Sequence, residues 1–469
     1  MEQLASNPLF IVGLVVTLCA IVGLAIWTGK KNKGGKGRNN SMPIVTGLIM
    51  GTLVGGSSTV GTAQLAFTYG MSAWWFTLGG GIGCLILALA YAKPFRRSQS
   101  PTIVGTIRNE YGKGAGMAAS ILNSVGTFIN IPSQLLAASA VVAVVFPNIG
   151  ILLTVIISAV FMILYVVFGG TKGAGIVGIL KTVLLYVSIV ACGIMVLVAV
   201  GGFGGFTGMV KAIDNPENVN FFSLFARGVG KDLGSALSLI FGVLTTQTYA
   251  QAVINGKSDT AGKGGALLSA FLIPPIGVGG ILVGLYMRAN AALYPGLTAK
   301  TALTTFVINH MPALLAGIVL ATLFIASVGT GAGLALGIST VINNDIVKVV
   351  SKKEIEDKKF ERLSKVWIIL VLVAACFLST GALGDVILNF AFMSMGLRAA
   401  VVFCPLCAAL FLPGKVDKKW VFAAILVGPI IVLIGNLLSF PFDPLLIGIV
   451  AAAIVVAIGY FVKRKELKA

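Results

Sequence analysis

The chain is short of charge, shorter still of carboxylates, and almost without histidine. Only 10% of its 469 residues are charged, against about 25% in soluble globular proteins. That shortfall excludes a soluble domain of this length. Fifteen Asp and Glu stand against 34 Lys and Arg, and His310 is the single histidine. An HExxH metal site is therefore impossible, and a Ser-His-Asp triad would have to use that one residue. There is no GxSxG, and Gly262-Lys-Gly-Gly265 lacks the spacing of a phosphate loop. With no paired carboxylates, histidine cluster or nucleophile motif, an enzyme is not expected. The six cysteines (Cys19, Cys84, Cys192, Cys376, Cys404, Cys407) all lie inside apolar runs and suggest no disulfide framework. Cys404-Pro-Leu-Cys407 has no second ligand pair and reads as helix packing.

What the chain has in quantity is apolar sequence: 57% hydrophobic, with a mean hydropathy of +1.00. A membrane-spanning helix needs about 20 apolar residues, and such runs fill nearly the whole length. The fold class is an all-α polytopic membrane protein, expected as one domain. Spans are predicted at 9–29, 43–69, 72–92, 116–146, 149–168, 174–202, 233–254, 263–288, 312–344, 364–381, 385–413, 419–440 and 444–462, which makes about thirteen. Met1 to Pro8 carries no Lys or Arg, so it lacks the basic start of a signal peptide, and the first run reads as a retained helix.

The net charge of +19 sits in short blocks between apolar runs. That is the signature of topology rather than of nucleic-acid binding, and no nucleic-acid partner is expected. With the N-terminus outside, 27 of the 34 Lys and Arg fall on the inner side, 5 on the outer side, and Lys181 and Arg398 within spans. Basic residues favour the cytoplasm. The reading is a multi-pass plasma-membrane protein, expected to be prokaryotic and monomeric, with its C-terminus cytoplasmic and the lipid bilayer as its surroundings. In the outer segment 203–232, Asn220-Phe-Phe-Ser-Leu-Phe225 is expected as a short interfacial helix.

Two spans are interrupted. Gly51-Thr-Leu-Val-Gly-Gly-Ser-Ser-Thr-Val-Gly61 is poor helix interior. A break at bilayer depth is tolerated only where it lines a cavity or is buried in protein. Its freed carbonyls can then coordinate a cation, while the simpler alternative is close packing through small residues. Thr245-Thr-Gln-Thr-Tyr-Ala-Gln251 places five polar groups in the seventh span. Ala326-Ser-Val-Gly-Thr-Gly331 adds a third polar patch in the ninth. Spans two and seven are five apart, the offset expected of two inverted five-helix repeats. The first repeat is read at 43–202 and the second at 233–413, with the helices 9–29, 419–440 and 444–462 peripheral.

These segments resemble the sodium/solute symporter family. Val54-Gly-Gly-Ser-Ser-Thr-Val-Gly-Thr-Ala-Gln-Leu-Ala-Phe-Thr-Tyr-Gly70 looks like that family's first broken helix, and Gln247-Thr-Tyr-Ala-Gln-Ala-Val-Ile-Asn-Gly-Lys-Ser258 like its helix-to-loop motif. Leu314-Leu-Ala-Gly-Ile-Val-Leu-Ala321, continued to Ser339-Thr-Val-Ile-Asn-Asn-Asp345, looks like its sodium-site helix. The resemblance implies a leucine-transporter-type fold with a broken first helix in each repeat. It implies cation-coupled symport of a small organic solute by alternating access, with sodium as the coupling ion and no other cofactor. By matching positions, the carbonyls of Gly51, Val54 and Ala326 and the hydroxyl of Thr330 would hold the sodium. Gly55, Gly56, Ser57 and Ser58 at the break, Asn130 and Gln134 in the fourth span, and Gln247 would face the solute. Asn123 shares the face of Asn130 and Gln134, and the alternative for all three amides is hydrogen bonding between helices.

The chain departs from the family pattern at two places. Gly329 stands where a hydroxyl residue is usual, and Gly178 where some members carry a second-site acid. No Asp or Glu lies deep in any span; Asp232 and Asp385 sit at span ends. Lys181 lies about seven residues, or roughly 10 Å, into the sixth span. It either snorkels to the interface or replaces the sodium ion, which would make transport sodium-independent or proton-coupled. Arg398 lies about thirteen residues from the nearer end of its span, too deep to snorkel, where an uncompensated charge costs at least ~2.5 kcal/mol. Its planar fork suits a carboxylate, so the solute is expected to carry one. The alternative is that helix-end carbonyls satisfy the guanidinium. A uniporter or channel is the other transport reading, but it would need a continuous polar pathway, and the polar patches cluster at one depth.

Overall fold

The computed structural model describes the chain except residues 1–6, 32–37, 99, 147, 170–173, 216, 352–355, 381–386, 439–442 and 468–469. Asp385 lies outside the described residues. The principal helices are α1 (Pro8–Lys31), α2 (Met42–Leu53), α3 (Thr62–Tyr69), α4 (Trp75–Ile86), α5 (Ile103–Tyr111), α6 (Lys113–Val145), α7 (Ile151–Gly169) and α8 (Ala174–Ala199). They continue as α9 (Val229–Leu244), α10 (Gln247–Ile254), α11 (Asp259–Ala289), α12 (Ala302–His310), α13 (Ala313–Val341), α14 (Asp357–Ser379), α15 (Ile387–Arg398), α16 (Cys404–Phe411), α17 (Lys418–Leu437) and α18 (Pro444–Glu466). The chain is all-helical, with no strand among the described residues.

Nine described helices are long and apolar enough to cross a membrane, or ten if the bent pair α9–α10 is one span. The difference from the thirteen expected runs has identifiable causes. Pro8–Leu24, Met42–Leu53 and Ile151–Val166 are apolar but short, and Ser57–Arg97 counts once although it turns at Gly70. Gly70 has φ +59, and a Cβ there would meet the Phe221 carbonyl oxygen at 2.2 Å, so the turn needs glycine on both grounds. The Met71 amide donates to that same carbonyl at 2.8 Å. The 220–225 segment forms turns that dock on Gly70; the helix expected there lies earlier, at Gly202–Lys211.

Both expected interruptions are present. Val54 is extended (φ −90, ψ 100) and ends α2, and the chain re-enters helix through the π-turn Ser57–Gly61. The second falls at Thr245–Thr246, between α9 and α10, which meet at 41°. Prolines stand inside α6 and α11, and two α11 carbonyls at and near its proline pair also accept from side chains. The Trp74 indole donates to Pro274 O at 2.9 Å, and the Tyr186 hydroxyl donates to Leu272 O.

Helix contacts are close because small residues permit them. A Cβ on Gly178 of α8 would lie 2.0 Å from Gly47 O of α2. The position where some family members carry an acid is here a backbone-on-backbone contact. CxxC is likewise packing: both thiols are free, Tyr91 OH lies 2.9 Å from Cys407 Sγ, and Cys404 Sγ lies 3.6 Å from Ile449 O.

Two buried carboxylates are each paired with an arginine. Asp232, fully buried in the first turn of α9, pairs with Arg227 at 2.6 Å and accepts from Ser72 at 2.7 Å. At the lysine-rich end, Asp345 (1% exposed) pairs with Arg108 of α5 at 3.0 Å and accepts from Thr102 at 3.2 Å. Removing one partner from such a pair strands a buried charge.

Candidate solute and cation site

The first break is pressed between α6 and α13. A Cβ on Gly55 would meet Thr330 Oγ1 at 2.4 Å and Gln134 Oε1 at 2.7 Å; one on Gly56 would meet Ala137 Cβ at 2.2 Å. No larger residue fits, and the break therefore reads as glycine in the sequence. Its freed backbone groups are satisfied locally. The Gly55 amide donates to Ser58 Oγ at 2.9 Å, and the Ser58 and Thr59 hydroxyls return to Gly55 O, each at 2.9 Å. The Gly56 amide donates to Gln134 Oε1 at 2.9 Å, and Gln134 Nε2 donates to Ser57 Oγ at 2.7 Å. Ser57 meets Ser133 at 3.0 Å, and Ser133 donates to Asn130 Oδ1 at 2.8 Å. Gly55, Gly56, Ser57, Ser58, Asn130 and Gln134 are thus brought together, and they bind one another rather than facing open space.

One turn away lies the predicted cation site, and Lys181 is inside it. Its ammonium donates to Gly51 O at 2.7 Å and to Thr330 Oγ1 at 2.8 Å. The side chain is 3% exposed, so it does not snorkel. No carboxylate pairs with it among the described residues. Two of the four positions matched to sodium ligands hold the lysine. Val54 and Ala326 are buried nearby in the chain, on the break and one turn before Thr330 on α13, and neither accepts from the ammonium. Gly329 faces Tyr165, and a Cβ there would find it at 3.5 Å, ordinary contact distance. A Cβ is therefore accommodated at this position.

The structure separates the remaining expected residues from this cluster. Arg398, fully buried at the end of α15, donates through Nε to Ser394 O at 3.2 Å, through Nη1 to Thr246 Oγ1 at 2.8 Å, and through Nη2 to Met395 Sδ at 2.8 Å. It therefore joins α15 to the second break. A cavity beside it is lined by Asn123, Ser124 and Thr127 of α6, by Thr246 and Thr248 at the second break, and by Leu334, Gly337 and Ile338 of α13. Along α6 these residues precede Asn130 and Gln134 by about two turns, some 10 Å, toward the lysine-rich end. Three buried polar atoms on residues around the cavity have no protein partner: Asn123 Oδ1, Ser124 Oγ and Thr248 Oγ1.

Gln247 also touches the cavity, but its amide is spent. Oε1 accepts from the Ile103 amide at 2.9 Å and Nε2 donates to Pro101 O at 3.1 Å. It was expected to face a solute, and instead it fastens the second break to the start of α5. Ser124, Thr127 and Thr248 escaped notice as site residues, although Ser120, Asn123, Ser124, Thr127 and Asn130 recur at helical spacing along one side of α6. His310 packs against Phe306 with ring centroids 4.6 Å apart and meets Tyr294 OH at 2.7 Å, a packing role at the end of α12. Among the described residues, no group of three His, Cys, Asp or Glu could hold a metal.

Comparison with known proteins places this geometry in a family. The Sodium:solute symporter family matches residues 37–428. The high affinity choline transporter 1 of Homo sapiens is 24% identical over 290 residues, 58% of this chain and 49% of that protein. The chain thus spans about half the length of that curated relative. Among solved structures, a Na+-coupled sialic acid symporter in its substrate-bound, outward-open state superposes with a TM-score of 0.80 at 19% identity, over 97% of this chain and 98% of that one. A nucleobase-cation-symport-1 family transporter, closed with bromovinylhydantoin bound, gives 0.59 at 11% identity, over 91% and 93%. The fold is that of these transporters, and the chain belongs to the sodium:solute symporter family.

Proposed function

We propose that this chain is a secondary transporter for a small organic carboxylate, in which the Lys181 ammonium occupies the place of the coupling sodium. Family membership supports cation-coupled solute symport and speaks against an enzyme. The observation that carries the finer reading is the pair of bonds from Lys181 Nζ to Gly51 O and Thr330 Oγ1. They join the first broken helix to α13, as a bound cation would. An ammonium supplies the same positive charge and the same link between elements. Releasing its proton would remove the charge and weaken that link, so one proton bound and released per cycle would do the work of one sodium ion. The carboxylate reading rests on Arg398, a fully buried guanidinium bonded only to neutral acceptors. A buried charge of this kind is costly unless a counter-charge joins it.

Uptake of radiolabelled short organic acids into proteoliposomes tests both halves. Initial rates are expected to be equal in sodium and in N-methylglucamine buffers, to rise with an inward proton gradient, and to fall at least tenfold in Arg398→Gln. Family membership favours the other outcome, sodium-driven uptake; uptake confined to sodium would refute the lysine reading. Organic-acid uptake unchanged in Arg398→Gln would refute the carboxylate.

A further inference from the structure

We propose that the paired ends of α17 and α18 form a binding site for an anionic phospholipid. The two helices run antiparallel: Gly428 packs on Gly448, and Trp420 on Gly459. The start of α17 therefore meets the end of α18, at the lysine-rich end of the bundle. There the Asp417 amide donates to Gly459 O at 3.2 Å, and a Cβ on Gly459 would meet Trp420 Cβ at 2.5 Å. Lys463, Arg464 and Lys465 begin about one turn beyond Gly459, which sets them beside Lys415, Lys418 and Lys419. α18, which supplies half of these cations, lies wholly beyond residues 37–428 matched to the family.

The cluster has few counter-charges. Glu466 pairs with Lys463 at 3.0 Å, Asp417 caps α17 by accepting from the Lys419 amide at 3.0 Å, and Glu110 accepts from the Gly414 amide. Among the described residues no carboxylate pairs with Lys415, Lys418, Lys419, Arg464 or Lys465, and all five are exposed. Clusters of roughly four to eight Lys and Arg just beyond a spanning helix attract anionic lipid. The basic start of α14 differs, because Asp357 and Glu361 interleave its cations and Glu361 pairs with Lys365 at 3.3 Å.

A lipid suits this surface better than a soluble anion, because the cations adjoin exposed apolar residues. Phe461 is 59% exposed, and Ile454, Ile458 and Phe422 are exposed on the same two helices. Trp420 and Tyr460, both half-buried, lie next to the cations along the chain, and such rings favour the headgroup level of a bilayer. The phosphate would meet the cations and the acyl chains the apolar surface.

The test is native mass spectrometry of the purified full chain, titrated with phosphatidylglycerol and with phosphatidylcholine of the same acyl chains. Glycerol 3-phosphate serves as the headgroup without chains. Phosphatidylglycerol is expected to bind saturably and at least fivefold more tightly than phosphatidylcholine, and glycerol 3-phosphate to leave it in place. Lys418→Gln with Lys419→Gln and Arg464→Gln should reduce that preference below twofold. Lys359→Gln with Arg362→Gln and Lys365→Gln removes the same charge from α14 and should leave the preference unchanged. The ratio is internal to each variant, so general loss of stability does not mimic the result. Equal binding of the two lipids, a preference unmoved in the first variant, or one lost equally in the second would overturn the inference. Displacement by glycerol 3-phosphate would overturn it in favour of a soluble anion.

Discussion

Replacing Lys181 by methionine keeps most of the side-chain volume and removes the ammonium. The two bonds it makes, at 2.7 and 2.8 Å, join α2 to α13. Hydrogen bonds from charged groups contribute about 1.5–3 kcal/mol each, so their gross value is about 3–6 kcal/mol. Part of that is offset, because the mutant no longer buries a charge. A net loss of about 2–4 kcal/mol in the linked state is expected, a factor of roughly 30 to 700. The readout is the initial rate of solute uptake at matched protein density, with solute affinity measured separately by thermal shift. Uptake should fall at least tenfold and stay low in sodium, since the methionine fills the space. Lys181→Ala with Gly329→Ser is the complementary change: it opens the site and restores a hydroxyl at a position where a Cβ is accommodated. That double variant should regain uptake only in sodium. Lys181→Met transporting within twofold of wild type would refute the reasoning.

Three further outcomes follow from the same geometry. Gly178→Ala drives a methyl toward Gly47 O, 2.0 Å away, and overpacking of this sort costs about 1–3 kcal/mol; the melting temperature in detergent should fall, and an unchanged value would contradict the α2–α8 contact. Gln247→Leu leaves the Ile103 amide and Pro101 O unpaired, costing about 1–3 kcal/mol; the melting temperature should drop, and an unchanged value would contradict these two bonds. His310 lies outside the spans, and burial holds it below the ordinary histidine range. Because its pKa is lower folded than unfolded, the unfolded chain takes up the proton first as pH falls, and stability is lost below about pH 6.5. Melting curves between pH 7.5 and 5.5 should show that loss, and His310→Gln should reduce it.

Much of the fold was legible because a bilayer forces long apolar runs and sorts basic residues by side. Both helix breaks could be read from Gly55-Gly56 and from Thr245 through Thr248, since glycine and hydroxyl clusters make poor helix interior. Lys181 was legible as an anomaly, and in the structure it bonds Gly51 O and Thr330 Oγ1, two of the positions matched to the cation site. What stayed hidden were partners far apart in the chain. Gln134 looked available for a solute, yet it is consumed by Gly56 and Ser57 of another helix. Gln247 is consumed by the 101–103 segment. The pairing of Arg108 with Asp345 crosses more than two hundred residues of chain. The cavity beside Arg398 combines four segments, and helical spacing alone does not say which polar stripe ends up facing another.

Equilibrium binding of radioactive sodium to the purified wild-type chain tests the central claim most directly. With Lys181 on Gly51 O and Thr330 Oγ1, no saturable sodium binding should occur at this site, and saturable binding should appear in Lys181→Ala with Gly329→Ser. One sodium bound per wild-type chain, lost in Thr330→Val, would contradict the account.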